Sequence, residues 1–423
     1  MKIVKVKQKS AEVERLCSRG VAPTEEIYAK VREILSNVKK GGLPQVVAYA
    51  QKFDGLQGNK LRITETEIKK VAAKADPALQ KGLKQAIKNV KLFHENQCES
   101  SWLMEGKNGE VLGQRIRPMH RVGLYVPGGA AIYPSTVIMN AVPALVAGVE
   151  EIVVTTPAKE GLQPAVAFVL QELGITEVYH VGGAQAIGLL AYGAKGIEPV
   201  DKIVGPGNVF AAIAKKEVFG IVDIDMIAGP SEILVLADSS ADPDWVAADL
   251  LSQAEHGSGF EAAICITDNM ETAKLIDTCV QIQVENSPKR ELLEKTLAQY
   301  GRILVVDNWF DGVAIANRIA PEHLEVMTRE AETLAENLVN AGAIFIGPWS
   351  SEPVGDYFAG PNHVLPTNGT ARFSSPLGVY DFLKRTSIIR YSQKAVLKNG
   401  KAIAKIAETE GFFHHAQAVL KRL

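Results

Sequence analysis

The feature that most constrains the fold is a rhythm that starts near residue 121. VGLYVPGG, EIVVTTP, EVYHVGG and DKIVGPG are short, β-rich apolar runs about 25 residues apart, each ending in Gly or Pro. Most are followed by a helical pattern: STVIMNAVPALVAG, PAVAFVLQELG, AQAIGLLAYG and NVFAAIAKKEVFG. A strand, a crossover helix and a second strand pair in parallel, with helices packed on the faces of the sheet. The rhythm resumes after VDIDMIAGPSEILVLAD. A helix over 243–256 precedes strand AAICITD, helices over 270–300, strand RILVVD, a helix over 309–319, strand LEVM, a helix over 330–341 and strand AIFIG. The chain therefore predicts two α/β units, with no residue-level repeat between them to argue for duplication.

The flanks read differently. Residues 1–21 form a polar entry segment, and 24–98 read as helices. TEEIYAKVREILSNVKKGG carries an N-cap at Thr24 and ends at Gly41-Gly42. LPQVVAYAQKFDG stops at Gly55, and a long helix is expected from about Thr66 to Gln97. Residues 109–121 look like the lead-in to a hairpin. Residues 348–380 are a long Gly/Pro/Ser-rich loop, and such loops in compact proteins are usually functional. The tail, 388–423, ends in an amphipathic helix.

At 423 residues the chain exceeds one ordinary core. A net charge of −2 with no long basic run speaks against nucleic acid or an anionic membrane surface as partner. No run approaches the roughly 20 apolar residues that span a bilayer. MKIVKVKQKSAEVERLC has no continuous apolar core of a secretory signal, so a cytoplasmic location is expected. Cys17, Cys98, Cys265 and Cys279 form no CxxC pair and read as reduced residues.

Chemistry concentrates in DLLSQAEHG, residues 249–257. On a continued helix Gln253 and His256, three apart, share one face. An amide oxygen and an imidazole side by side begin a metal site without sulfur. Of the eight histidines, four lie in the last third, at His323 (APEHLEV), His363 (GDYFAGPNHVLPT), His414 and His415 (EGFFHHA), beside acids or Gly/Pro loops. His94, His120 and His180 read as structural. A full G-x-G-x-x-G is absent; Gly205-Pro206-Gly207-Asn208-Val209-Phe210 has Phe at the third glycine position. With YVPGG at 125–129 and VGGAQAIG at 181–188 it gives three Gly-rich turns at strand C-terminal ends, where open α/β sheets form a ligand crevice.

RVGLYVPGG, VGGAQAIG, DKIVGPGN, IAGPSE, DLLSQAEH, APEHLE, GDYFAGPNHVLPT, FSSPLGVYDFLKRTS and EGFFHHA together resemble the histidinol dehydrogenase family. They run in the family's order from about residue 20 to the end. The resemblance implies an intertwined homodimer of two Rossmann-like α/β domains, each an incomplete, mostly parallel sheet, with small N- and C-terminal helical segments. The expected division is 1–21 as N-terminal segment; 22–121 with 233–380 as a discontinuous first domain carrying metal and catalytic residues; 122–232 as the NAD domain; and 381–423 as an arm to the partner subunit. The implied activity is oxidation of L-histidinol to L-histidine through an aldehyde, with two NAD, one water and one Zn2+ per subunit.

Residue by residue, the resemblance implies Gln253, His256, Asp356 and His415 as metal ligands, His415 reaching in from the other subunit. It implies Glu322 and His323 as the acid–base pair, and Ser231, His363 and Glu410 as substrate contacts beside the ligands and His323. Tyr125, Gln185 and Asn208 would line the NAD site. Nitrogen and oxygen ligands suit a zinc that expands its coordination to take substrate nitrogens. A histidine near neutral pKa suits the removal of a hydroxyl proton. Two positions depart from the family. Gly257 replaces an acidic residue, and His414 replaces a small one. Adjacent helical positions point about 100° apart, so His414 and His415 cannot both face one site. Competing readings are a relative acting on another small alcohol, a non-catalytic binding module on the same scaffold, and an enzyme of phosphorylated substrates at Gly205–Asn208.

Overall fold

The βα rhythm builds two six-stranded sheets in the computed structural model of the chain, which describes residues 1–20, 23–128, 133–157, 159 and 161–423. Gly129 of the YVPGG turn lies outside the described residues. One sheet has the order Arg62–Ile63, Glu177–Tyr179, Glu151–Thr155, Arg121–Tyr125, Lys202–Val204, Asp223–Ile224, with only the first pair antiparallel. The other has the order Lys2–Lys5, Gly301–Val305, Ala262–Thr267, Glu232–Ala237, His323–Met327, Ala343–Ile346, parallel throughout. In each sheet the five strands after the first begin in the middle, add two to one side and then two to the other, and the strand that comes first in the chain, Arg62–Ile63 or Lys2–Lys5, closes the far edge. That reversal opens a crevice between Arg121–Tyr125 and Lys202–Val204, and a second between Glu232–Ala237 and His323–Met327. The two units share a topology without sharing a residue repeat.

The strands are apolar on both faces because both are covered. Along Glu232–Ala237, Ile233 and Val235 enter one core and Leu234 and Leu236 the core on the opposite face, as a period of two requires. All four are fully buried, and each such side chain contributes about 1.5–3 kcal/mol.

The expected division of the chain needs correcting. Most of 23–121 docks on the sheet that holds Arg121–Tyr125, and it also meets 348–380, where Asn89 Nδ2 donates to Phe358 O at 2.8 Å and Gln97 Oε1 accepts from Val379 N at 2.9 Å. Helix Glu25–Phe53 packs Val31, Leu35 and Val38 against Ile187 and Leu190 of the unit expected to hold NAD. Helices Glu65–Ala72 and Pro77–Glu95 place Ile68, Leu83 and Val90 in a core with Val122 and Phe168. Residues 1–21 are no separate segment either: Lys2–Lys5 pairs with Gly301–Val305, and Val13 and Leu16 enter the core of the second sheet. Periodicity locates elements but does not say which sheet they dock on, and a two-residue strand such as Arg62–Ile63 has no period to read.

Several boundaries also differ. The two helices expected before Gly55 run as one, kinked at Gly42 (φ 57°, ψ −144°). The long helix expected over 66–97 breaks before Asp76-Pro77, where the Asp76 carboxylate accepts from Leu79 N at 2.9 Å as an N-cap. The helix expected over 330–341 is only Ala331–Ala335, because the N–H groups of Val339 and Asn340 donate to the Asn317 side chain instead. The lead-in over 109–121 becomes Val111–Pro118, which pairs antiparallel with Trp102–Glu105 and with the distant Leu383–Arg390. Helices Gln393–Thr409 and Phe413–Leu420 follow that strand as a C-terminal arm.

Candidate active site

The expected catalytic pair stands at the beginning of a strand. His323 opens His323–Met327 and is paired in register with Ile233, so Glu322 and His323 lie beside Ser231 and Glu232. The three expected NAD residues follow strand C-terminal ends, whereas this cluster occupies the N-terminal edge of its sheet. It is rigidly held. Glu322 and His323 are both buried. Glu322 Oε2 accepts from Glu232 N at 2.9 Å, and His323 Nδ1 donates to Glu232 O at 2.9 Å. That bond fixes the ring with Nε2 facing the site, where it meets Asp356 Oδ1 at 3.2 Å.

Asp356 comes from the long 348–380 segment. There the chain makes a short helix, Glu352–Val354, and a π-helical turn, Gly355–Ala359, a device often found at functional sites. His363, largely buried on the same segment, donates from Nδ1 to Asp356 O at 3.0 Å.

Helix Pro243–Ala254 supplies Gln253 from its last turn, and His256 lies just beyond the helix end with its N–H on Gln253 O at 3.3 Å. The shared helical face expected for this pair is thus replaced by a turn. Ser231 Oγ holds His256 Nδ1 at 2.8 Å, leaving Nε2 to face outward. Gly257 adopts φ +98°, a conformation that favours glycine over the acidic residue expected there. Gln253 is fully buried, and neither Oε1 nor Nε2 has a hydrogen-bond partner among the described residues. A buried amide without partners needs an explanation, and a bound cation on its oxygen is one.

Five of the expected residues, Ser231, Gln253, His256, Asp356 and His363, thus join Glu322 and His323 around one region. Glu410 and His415 do not: both are exposed on the C-terminal arm, where the His415 ring lies tilted against Phe412 with centroids 5.0 Å apart and His414 meets Phe413 edge-on at 5.2 Å. Neither histidine is distinguished from the other by burial. A different trio, His323, Glu352 and Asp356, offers ligand atoms within 4.8 Å of one another. His323 Nδ1 is held by Glu232 O, so Nε2, now on Asp356, is the atom the ring offers to either role.

Residues that the sequence reading passed over hold this site. Arg19 donates from Nε to Glu232 Oε1 at 2.7 Å inside the protein, and from Nη1 to Leu16 O and Ile319 O. The Glu232 carboxylate also accepts from Asn368 N at 3.0 Å and Glu322 N at 3.3 Å. Glu325, two residues after His323, accepts from Glu352 N at 2.7 Å and feels the charge of Asp249 on the Gln253 helix. The available signal was a Glu at the head of SEILVLA and another inside LEVM, charged residues in otherwise buried strands.

Electrostatics follow from burial. Burial pushes Glu322 up to about 8, against the favourable charge of His323. It pushes Glu352 up to about 7 and Asp249 to about 6, and Glu325 well above the carboxylate range with the Asp249 charge adding to the effect. Burial alone would lower His323, but the Glu322 and Asp356 carboxylates outweigh it and raise the ring well above 6.5. Burial lowers His363 despite Asp356.

The first crevice carries the other expected set. Tyr125, Gln185 and Asn208 line one cavity of about 340 Å3, together with Phe53, Asp54 and Lys159. Asn208 caps helix Val209–Val218, its Oδ1 accepting from Phe210 N and Ala211 N. The preceding turn is fixed by the buried Lys215–Asp225 pair, which holds Gly205 O and Gly205 N. Gly205 has φ +113°, and a Cβ there would overlap the Tyr125 carbonyl oxygen.

A cavity at the switch point of one sheet and a buried Glu–His pair beside nitrogen and oxygen donors in the other are equipment that an NAD-dependent oxidoreductase can use. Comparison with known proteins gives its kind. A family model described as histidinol dehydrogenase matches residues 17–423, and the chain belongs to the histidinol dehydrogenase family. It is 50% identical over 403 residues to the Bacillus subtilis (strain 168) histidinol dehydrogenase, covering 95% of this chain and 94% of that one. It is 51% identical over 402 residues to that of Geobacillus kaustophilus (strain HTA426), covering 95% of each. The crystal structure of histidinol dehydrogenase from Elizabethkingia anophelis superposes with a TM-score of 0.94 at 34% identity, covering 100% of this chain and 98% of that one. No helix among the described residues is long and apolar enough to cross a membrane.

Proposed function

We propose that this chain oxidises L-histidinol to L-histidine by way of L-histidinal, the last step of L-histidine biosynthesis, with two NAD and one water. The observation that carries the reading is the buried Gln253 amide, without a partner among the described residues and next to His256, in the same region as Asp356 and the Glu322–His323 pair. Gln253, His256 and Asp356, with His415 from a partner subunit, would hold one zinc ion per subunit. Their donor set of two imidazoles, an amide oxygen and a carboxylate fits that metal. When bound, zinc supplies a Lewis-acidic template for the amine and imidazole nitrogens of the substrate.

The chain's own residues move the protons. His323, held by Glu232 O through Nδ1, directs Nε2 to the substrate hydroxyl and takes its proton as a hydride passes to the first NAD. Asp356 now occupies that nitrogen, so His323 is free to act as a base once the Asp356 carboxylate turns to another partner. Glu322 takes a proton from the water that adds to the aldehyde. The hydrate then gives a hydride to the second NAD and leaves as the carboxylic acid. A carboxyl group raised to about 8 is a stronger base than an ordinary one, and it is matched to a site working near neutral pH. Ser231, His363 and Glu410 orient the substrate, and Tyr125, Gln185 and Asn208 hold NAD.

The reading includes a homodimer with shared sites. Ile403, Ile406, Phe412 and Phe413 are exposed on the arm, and Tyr357 and Phe358 beside Asp356. Such apolar surface calls for a cover, and a second copy of the chain supplies one. The proposed location is the cytoplasm. The test is NAD reduction with histidinol before and after a strong chelator. Activity should vanish with the metal and return with zinc; full turnover by demonstrably metal-free protein would overturn the assignment.

A further inference from the structure

The cavity of Tyr125, Gln185 and Asn208 has another polar wall, built by Asp54. This residue caps the C-terminal end of helix Glu25–Phe53 and is buried. One of its oxygens, Oδ2, accepts from Gly182 N at 3.0 Å and from Gln185 Nε2 at 3.0 Å. An ionised carboxylate only accepts, so it selects the amide orientation that turns Nε2 toward it. Gln185 Oε1 is thereby fixed on the other side of the amide. Tyr125 Oη accepts from Gly183 N at 3.1 Å, which leaves its proton to donate. Asp54 grips the strip 182–185 that sets both groups, yet it reaches them from a helix far away in sequence.

We propose that Asp54 is a positioning residue for the dinucleotide: it locks the Gln185 amide and the Gly182–Gly183 backbone in the geometry that NAD meets. This rests on the reading that the cavity holds NAD. The required chemistry is a doubly accepting oxygen at one place. Asparagine retains that oxygen, alanine removes it, and glutamate keeps the charge while moving the oxygen by about one bond length.

The experiment compares Asp54→Ala, Asp54→Asn and Asp54→Glu with Gln185→Ala and Tyr125→Phe in the zinc-loaded enzyme. Read-outs are KM for NAD, KM for histidinol, kcat, zinc content and thermal unfolding. Loss of a well-placed polar contact is worth about tenfold. Asp54→Ala should raise KM for NAD about tenfold or more, with zinc content and KM for histidinol within about twofold of the parent. Asp54→Asn should restore most of that affinity, and Asp54→Glu should not. If Asp54→Ala fails to fold, the Asn–Glu contrast decides, and the reverse order overturns the proposal. Unchanged KM for NAD in Asp54→Ala beside raised values in Gln185→Ala and Tyr125→Phe refutes the role of Asp54 alone. Unchanged values in all three refute the NAD reading of the cavity itself. Equal loss of zinc, histidinol and NAD affinity shows general destabilisation and also refutes the proposal.

Discussion

Replacing Gln253 with methionine should act in opposite directions with and without metal. The side chain is fully buried and neither amide atom has a partner among the described residues. A buried amide without hydrogen bonds costs about 1–3 kcal/mol on the scale of protein mutations. Methionine is close in shape and carries no such penalty. In metal-free protein, Gln253→Met should therefore be neutral or stabilising by up to about 3 kcal/mol. With an unfolding entropy of about 2.1 cal/mol/K per residue, 1–3 kcal/mol over 423 residues corresponds to a rise of roughly 1–3 °C. Zinc reverses the order. At a hundred times its Kd a metal that binds only the folded protein adds about 2.7 kcal/mol. The parent should gain that full amount, and the variant, short of one donor, should gain less at the same free zinc. Calorimetry in chelator and at buffered zinc measures both limbs. A variant destabilised by more than about 1 kcal/mol without metal would show the amide to be satisfied after all. An identical zinc-induced rise in both proteins would remove Gln253 from the metal site.

His323→Ala should slow alcohol oxidation by about 10²–10⁴-fold with zinc retained, while Glu322→Gln should impair mainly the aldehyde step; assays started from histidinol and from histidinal separate them, and equal slowing of both steps by Glu322→Gln removes its role toward water. The His323 ring should titrate far above 6.5 in metal-free protein, near 10, so its stabilising contribution is complete below about pH 6.5 and is lost as pH rises through about 10. Imidazole NMR reads this directly, and a value at or below 6.5 contradicts it. Arg19→Met leaves the Glu232 carboxylate buried without its cation and should cost about 3–5 kcal/mol in denaturant unfolding; Arg19→Met with Glu232→Gln should recover most of it, and no recovery means the ion pair is not the cause. Mixing His256→Ala subunits with His415→Ala subunits should restore activity in up to roughly a quarter of sites, since in a two-fold heterodimer one site collects both lesions. No restoration in confirmed heterodimers would place His415 in the site of its own chain.

The alternation of apolar strands and helices is a local property, and it determined the α/β class, the parallel pairing and most strand positions. Strands such as Ile233–Ala237 are legible because a sheet covered on both faces admits only apolar side chains. The stretches around Gln253, Glu322-His323 and Asp356 stood out only taken together, through the family resemblance; singly each reads as readily as a cap, a corner or a turn. What sequence could not decide is which distant elements meet. Nothing local in FDG says that Asp54 closes a cavity with Gln185, 131 positions on. Nothing in RLCSRG says that Arg19 underlies a carboxylate 213 positions away. Strand order decided that the acid–base cluster occupies the N-terminal edge of its sheet, while Tyr125 and Asn208 occupy the C-terminal edge of the other. The physical reason is range. Periodicity and turn chemistry act within a few residues, whereas docking is settled by burial and buried hydrogen bonds between segments whose separation in sequence carries no signal.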